Sequence, residues 1–253
     1  RGLGLVSLLH QPRRRAPGEP IRVGCATSFV NHHVVMKCFT GALQHAEWNA
    51  IETHIFPLAT EQDEVTRYVA NLVHVCHPST SDTETAARQI RESQLDLLIY
   101  PEIGLDALSF RLASMRLAPV QCVAAGHPTT TGLSTIDYFL SAAAAEPADA
   151  SSHYTERLVA LPGMGVCMPL PALPRQRKTR ADFGLEPQQI IYLSTQGLFK
   201  HLPVHDALYA RIAGCVDNAV FVFVEGHYPA WTRIFRERLK RTFESRGLSP
   251  ERH

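Results

Sequence analysis

From Ile21 onward, short runs of β-branched and aliphatic residues alternate with stretches in which apolar positions recur every three or four residues. That alternation leaves few folds open, and it points to parallel strands joined by crossover helices, an α/β architecture with both sheet faces covered. IRVGCAT reads as the first strand, residues 34–46 as a helix and IETHIFPL as the second strand. Helical periodicity returns over 61–73 and 83–94, the latter opening at Ser81 or Thr83 as a cap. LDLLIYPE is the strongest strand pattern of the chain, and Leu105, Leu108, Leu112 and Met115 then share one helical face. APVQCVAA follows as another buried strand.

After that strand comes AAGHPTTTGLSTIDYFL, in which Gly126, His127, Pro128 and Thr130 crowd a strand end. Open α/β sheets bind ligands just outside the carboxyl ends of their strands, so the loop is a candidate ligand contact. The competing reading is a Gly-Pro turn whose threonines satisfy backbone groups.

Residues 161–178 are too rich in proline and glycine to form a regular element. They suggest a linker, over 166–186, between a first lobe at 21–165 and a second lobe that begins at 187 and runs to 253. The second lobe starts with QQIIYLST, then a helix at 203–215 carrying Val204, Leu208 and Ile212. The strand AVFVFVEG and a helix at about 229–245 follow, the latter with Trp231, Phe235, Leu239 and Phe243 at intervals of four. Two strands and two helices make a small lobe, so these elements either dock on the first lobe or form an incomplete one. Residues 1–20 read as a tail or linker from an upstream region, and a start at Arg1 suits a piece of a longer protein.

The 253 residues carry 25 Lys+Arg against 24 Asp+Glu, a net charge of +1, so no global field draws the protein to nucleic acid or to an anionic membrane. The six cysteines are scattered, mostly within apolar segments, as free thiols in a reducing, cytoplasmic setting would be. Neither a Cys-x-x-Cys pair nor a His-Glu-x-x-His helix occurs, which argues against a metal site. The sequence lacks an apolar run of roughly 18 residues, the length a membrane span needs. Arg13, Arg14 and Arg15 follow an apolar piece, the reverse of a secretory signal.

A second candidate contact is STQGLFKHLP, where Gln196 and Lys200 sit between a strand and a helix. A lysine there has the charge and position to hold a phosphate, although an isolated lysine is more often simply exposed.

Taken in order, IRVGCATSFVNHH, the long segment from LDLLIYPEIG to GLSTIDYFLS, HYTERLVALPG and IIYLSTQGLFKHLP resemble the catalytic region of the O-GlcNAc transferase family. The resemblance includes that family's bacterial members and the cytoplasmic protein N-glucosyltransferases. It implies a GT-B-like fold of two Rossmann-like lobes, the second incomplete here. It also implies a UDP-sugar donor held mainly by the second lobe, a protein acceptor, and transfer of GlcNAc or another hexose to Ser or Thr. No cofactor or metal is implied, the UDP-sugar being a substrate.

On the same resemblance, Lys200 matches the diphosphate-binding lysine and Gln196 a donor contact. SFVNHHVV matches the segment with an active-site histidine, and the count favours His33 over His32. Such a histidine would hydrogen-bond the acceptor or sugar phosphate and could move a proton. Gly126, His127, Pro128 and Thr130 would line the sugar pocket, the glycine allowing close approach and His127 and the threonines bonding sugar hydroxyls.

Two departures stand out: nothing after Lys200 matches the family's phosphate-binding Gly-His-Thr-Thr-Gly-like turn, and nothing near Asn71 matches the second histidine of the animal enzymes. The rival readings are a catalytically silent binding or interaction module and an Asn-directed N-glucosyltransferase relative. Asp137 and Tyr138 read as loop anchors, and Glu102 as a helix cap or a ligand contact. Arg233, Arg236, Arg238, Lys240 and Arg241 read as a solvated helix face.

Overall fold

The computed structural model describes residues 15–252 apart from 48, 125, 172 and 227, so most of the 1–20 segment lies outside the described residues. Two compact units divide after Pro171.

The first unit is built on a seven-stranded sheet in which every pairing is parallel. Its strands are β1 (Ile21–Thr27), β2 (Ile51–Pro57), β3 (Val75–Cys76), β4 (Leu97–Tyr100), β5 (Val120–Ala124), β6 (Tyr138–Ala142) and β7 (Arg157–Leu161). They lie in the order β3-β2-β1-β4-β5-β6-β7. Four helices connect them: α1 (Val34–Gln44), α2 (Glu64–Ala70), α3 (Thr83–Glu92) and α4 (Ala107–Ala113). The order reverses between β1 and β4, and a doubly wound sheet forms its ligand crevice at that switch point.

Consecutive strand residues point to opposite faces, which splits the core in two. On β2, Phe56 packs with Ala86, Ile90, Leu98, Tyr100, Leu108 and Leu112. Its neighbour Ile55 packs on the other face with Val35, Met36 and Val69. Full burial of side chains of this size contributes about 1.5–3 kcal/mol each, which is what holds both helical layers to the sheet.

Some sequence expectations shift. The helix α4 is shorter than the Leu105–Met115 spacing implied, because Asp106 caps it by accepting the Leu108 and Ser109 N–H groups, both at 2.9 Å. Leu105 is therefore left exposed before the helix, while Leu108 and Leu112 are buried. The cap of α3 is Asp82, which accepts the Thr85 N–H at 2.8 Å, rather than Ser81 or Thr83. The strands β3, β6 and β7 carry too little periodicity to be read from the sequence.

Residues of the expected linker pack on the first unit. The Cys167 N–H donates to the Cys38 carbonyl at 3.2 Å. A Cβ at Gly41 would come within 2.2 Å of the Cys167 oxygen, so α1 needs glycine there for the segment to lie this close.

The second unit holds β8 (Ile190–Ser194) and β9 (Ala219–Phe223), paired in parallel, with α5 (Pro203–Cys215) and α6 (Pro229–Glu244). Ala210, Ala213 and Phe243 form its small core, with Tyr209, Phe221 and Leu239 against it. Arg238 departs from the expected solvated face. Its guanidinium grips Asp206 at 2.6 and 3.1 Å and donates to the His201 carbonyl at 2.6 Å. Asp206 is 2% exposed, and a carboxylate that deep in a fold requires a paired cation.

Candidate functional site

At the carboxyl edge of the first unit, β1 ends at Thr27 and the chain turns through Phe29 to His33, which caps α1. The His33 Nδ1 accepts the Val35 N–H at 3.3 Å, and its ring stacks on Phe29 with centroids 4.2 Å apart. An accepting Nδ1 places the proton of the neutral ring on Nε2. Burial lowers the His33 pKa below its ordinary value, which favours that neutral form. The ring therefore presents a donor at Nε2 and cannot take up a proton at Nδ1 without releasing the cap. His32 beside it is exposed, and its backbone N–H donates to Asp63 at 2.6 Å.

A polar cleft of about 560 Å³ lies at the same edge, lined by Ser28, Thr60, Glu61, Ser81, Asp106 and Arg111. Just below the edge, Glu102 is fully buried and its Oε1 accepts the Thr27 hydroxyl at 2.6 Å. Burial pushes its pKa up to about 8, with Asp106 adding to the effect and the Thr27 bond opposing it.

The 126–131 loop follows β5. A Cβ at Gly126 would lie 2.4 Å from the Pro101 carbonyl oxygen, so glycine is required there for packing against the end of β4. The His127 ring rests over Gly104, which has a φ of +105° that favours glycine. Pro128 and Thr129 are exposed. The Thr130 hydroxyl donates to Glu156 at 2.7 Å and lies 2.9 Å from the Thr155 hydroxyl. Thr131 bonds Glu156 through its hydroxyl and, at 2.8 Å, through its N–H. Glu156 is only 4% exposed. Burial alone would raise its pKa, but the Thr131 and Thr130 hydroxyls outweigh that and hold it below the ordinary value. The Thr130 and Thr131 hydroxyls are thus committed to anchoring the loop.

In the second unit, Lys200 ends a short 3₁₀ turn, Leu198–Lys200, directly ahead of α5. It is exposed, its Nζ lies 5.9 Å from the Phe199 ring centroid, and it makes no ion pair among the described residues. The residue before α5, Leu202, offers no side-chain cap, but Pro203 at the first helical position has no N–H and the His205 N–H donates to the Leu202 carbonyl at 2.9 Å. Gln196 is exposed in the same turn. A cleft of about 560 Å³ beside β9 and α6 reaches this turn at Leu198 and is lined mainly by apolar residues, Phe221, Phe235 and Phe243 among them.

The family described as glycosyl transferase family 41 matches residues 5–165, which is most of the first unit and more than half of the chain. The chain belongs to glycosyl transferase family 41. One similar curated protein is the Arabidopsis thaliana "Probable UDP-N-acetylglucosamine--peptide N-acetylglucosaminyltransferase SPINDLY", 27% identical over 244 residues, covering 93% of this chain and 26% of that protein. The SPINDLY protein of Eustoma exaltatum subsp. russellianum is 32% identical over 174 residues, covering 68% of this chain and 18% of that protein. The chain therefore spans about a quarter or less of these relatives. A solved Thermobaculum terrenum O-GlcNAc transferase mutant superposes with a TM-score of 0.80 at 22% identity, over 95% of this chain and 45% of that one. The likeness shows the fold: GT-B-like, with the second lobe present in part.

Within this family-41 chain, the Leu-Ala-Pro-Val-Gln and Ile-Asp motif turns out to be a polar clamp. Gln121 is fully buried, accepts the Leu117 N–H at 2.8 Å and donates to the Met115 and Thr135 carbonyls at 3.0 and 2.8 Å. Asp137 accepts from Arg116 at 2.6 Å and from the Gln121 N–H at 2.8 Å. Sequence reading singled out Asp137 as an anchor but missed Gln121, Glu156 and Asp63. For Asp63 a signal was available, since Asp-x-x-Thr at a helix start is a capping pattern. No helix among the described residues is long and apolar enough to cross a membrane.

Proposed function

We propose that this chain is part of a protein glycosyltransferase that moves N-acetylglucosamine, or a related hexose, from a UDP-sugar to a Ser or Thr hydroxyl of a protein. The observation that carries the reading is the family-41 match across the first lobe, together with relatives named as peptide N-acetylglucosaminyltransferases. In the reaction the acceptor oxygen bonds the anomeric carbon as the bond to UDP breaks, and negative charge grows on the diphosphate. Lys200 is the group we assign to that charge, with Gln196 beside it. The reaction as read needs no metal and no cofactor.

We assign His33 to hydrogen-bond donation from Nε2 to a ligand oxygen, and His127, at the mouth of the 126–131 loop, to the sugar. Gly126, Pro128 and Thr130 then serve by shaping that loop. The acceptor stays open to the Asn-directed alternative. We place the protein in the cytoplasm, a reading its six free cysteines support.

The test incubates the purified chain with radiolabelled UDP-GlcNAc or UDP-glucose and a pool of cell proteins, beside a version lengthened to a full second lobe. The lengthened protein should label acceptors. The 253-residue chain should be slower by at least the roughly 10²–10³-fold that loss of a single preorganised donor costs. No labelling by the lengthened protein would favour the silent binding module.

A further inference from the structure

Glu102 is a buried acid that the proposed reaction does not use. It stands where β4 ends, at the switch point of the sheet, and is fully buried. Its Oε1 accepts the Thr27 hydroxyl at 2.6 Å, while its Oε2 is buried with no hydrogen-bond partner among the described residues. Thr27, itself fully buried, uses the same hydroxyl oxygen to accept the Phe29 N–H at 3.0 Å. The Phe29 ring in turn stacks on the His33 imidazole, 4.2 Å between centroids at an interplanar angle of 21°. One unbroken series of contacts therefore runs from the Glu102 carboxyl to the histidine that caps α1.

We propose that Glu102 is a positioning residue: acting through Thr27 and Phe29, it sets the place and electrostatic surroundings of the His33 ring. The acid form suits the role. Oε1 is taken up as an acceptor, so the proton sits on Oε2, and the Thr27 hydroxyl and the Ser28 and Glu102 backbone N–H groups, which favour the ionised carboxylate, do not outweigh its burial. Burial pushes the Glu102 pKa up to about 8, Asp106 at the start of α4 pushing the same way.

The other titratable groups on the elements around it are Asp106, Cys25, Tyr100 and, on the 126–131 loop, His127. Cys25, on β1, and Tyr100, at the end of β4, are both held protonated by burial. The 126–131 loop brings backbone against Glu102, with the Gly126 N–H donating to the Pro101 carbonyl at 3.1 Å. The inference takes from the proposed function only that His33 faces ligand, and its test reads the ring itself, so it stands or falls independently of transfer.

The experiment is a pH titration of the whole 253-residue chain followed by histidine-ring NMR. The wild-type His33 resonances should move once as the ring titrates, below its ordinary value, and a second time near pH 8 as Glu102 ionises. In Glu102→Gln the second step should vanish, and in Thr27→Val, which keeps the acid but removes the relay, it should shrink to less than half. A structural role alone would leave no second step in wild type. Absence of that step, its survival in Glu102→Gln, or its full size in Thr27→Val would each overturn the proposal. Should Glu102→Gln not fold, the wild-type and Thr27→Val titrations still decide the matter.

Discussion

Two loops at strand ends, 126–131 after β5 and 195–202 after β8, look alike as sequence, each opening on a small polar stretch that contains a glycine and carrying basic side chains, His127 in the first and Lys200 and His201 in the second. Their partners separate them. In the first, Thr130 and Thr131 hold a buried Glu156, and Gly126 is pressed against the end of β4. In the second, Gln196 and Lys200 are exposed, and a helix start without a side-chain cap lies directly behind. Polar residues at a strand end can be spent on building the loop or kept for a ligand, and composition does not distinguish the two uses.

The contrast can be broken most directly by removing the inward anchor. Glu156→Ala removes the acceptor of the Thr131 hydroxyl and N–H, at about 1–3 kcal/mol for each group left without one, while the Thr130 hydroxyl keeps Thr155. The expected loss is about 3 kcal/mol in urea unfolding of the first unit, whereas Lys200→Ala should stay within about 0.5 kcal/mol of wild type. Equal losses for the two variants would erase the distinction between the loops.

Ligand binding sharpens the comparison from the other side. In a version carrying a full second lobe, Lys200→Ala should weaken UDP binding roughly ten- to hundredfold, the worth of a charged hydrogen bond of about 1.5–3 kcal/mol. Lys240→Ala, which removes an exposed lysine 3.7 Å from Glu244 on α6, should leave the affinity unchanged within about twofold. Calorimetric titration distinguishes these outcomes, and equal affinities would remove Lys200 from the donor site.

The smallest expected effect is on pH dependence, where a half-buried and a buried group of the first unit, His77 and Glu102, act with opposite signs. Burial and the neighbouring His54 lower the His77 pKa from 6.5 to about 4. The folded state then binds fewer protons than the unfolded one, so this contribution is complete above about pH 6.5 and is lost as the pH falls towards 4. Glu102 is raised from 4.5 to about 8, so its contribution is complete below about 4.5 and is lost as the pH rises towards 8. Urea midpoints measured across this range should fall at both ends. Glu102→Gln should flatten the alkaline limb alone, by an amount on the order of 1–3 kcal/mol at neutral pH. An unchanged alkaline limb in that variant would mean that Glu102 is ionised in the folded protein.

Much of the first lobe was written locally. The strand IRVGCAT is β1, residue for residue, and the helices at 34–46 and 83–94 run within two residues of α1 and α3. Periodicity and caps are properties of neighbouring residues, and they are visible without a fold. The ordered motif set likewise carried the family, and with it the GT-B-like architecture. The tertiary structure decided what each polar side chain is for, because those partners lie far along the chain. Glu102 meets Thr27 across 75 positions, Thr130 meets Glu156 across 26, and Arg238 leaves an otherwise solvated helix for Asp206 across 32. Whether a carboxylate is buried or wet, and whether a hydroxyl is committed or free, depends on which distant segment is folded against it. Sequence spacing holds no record of that.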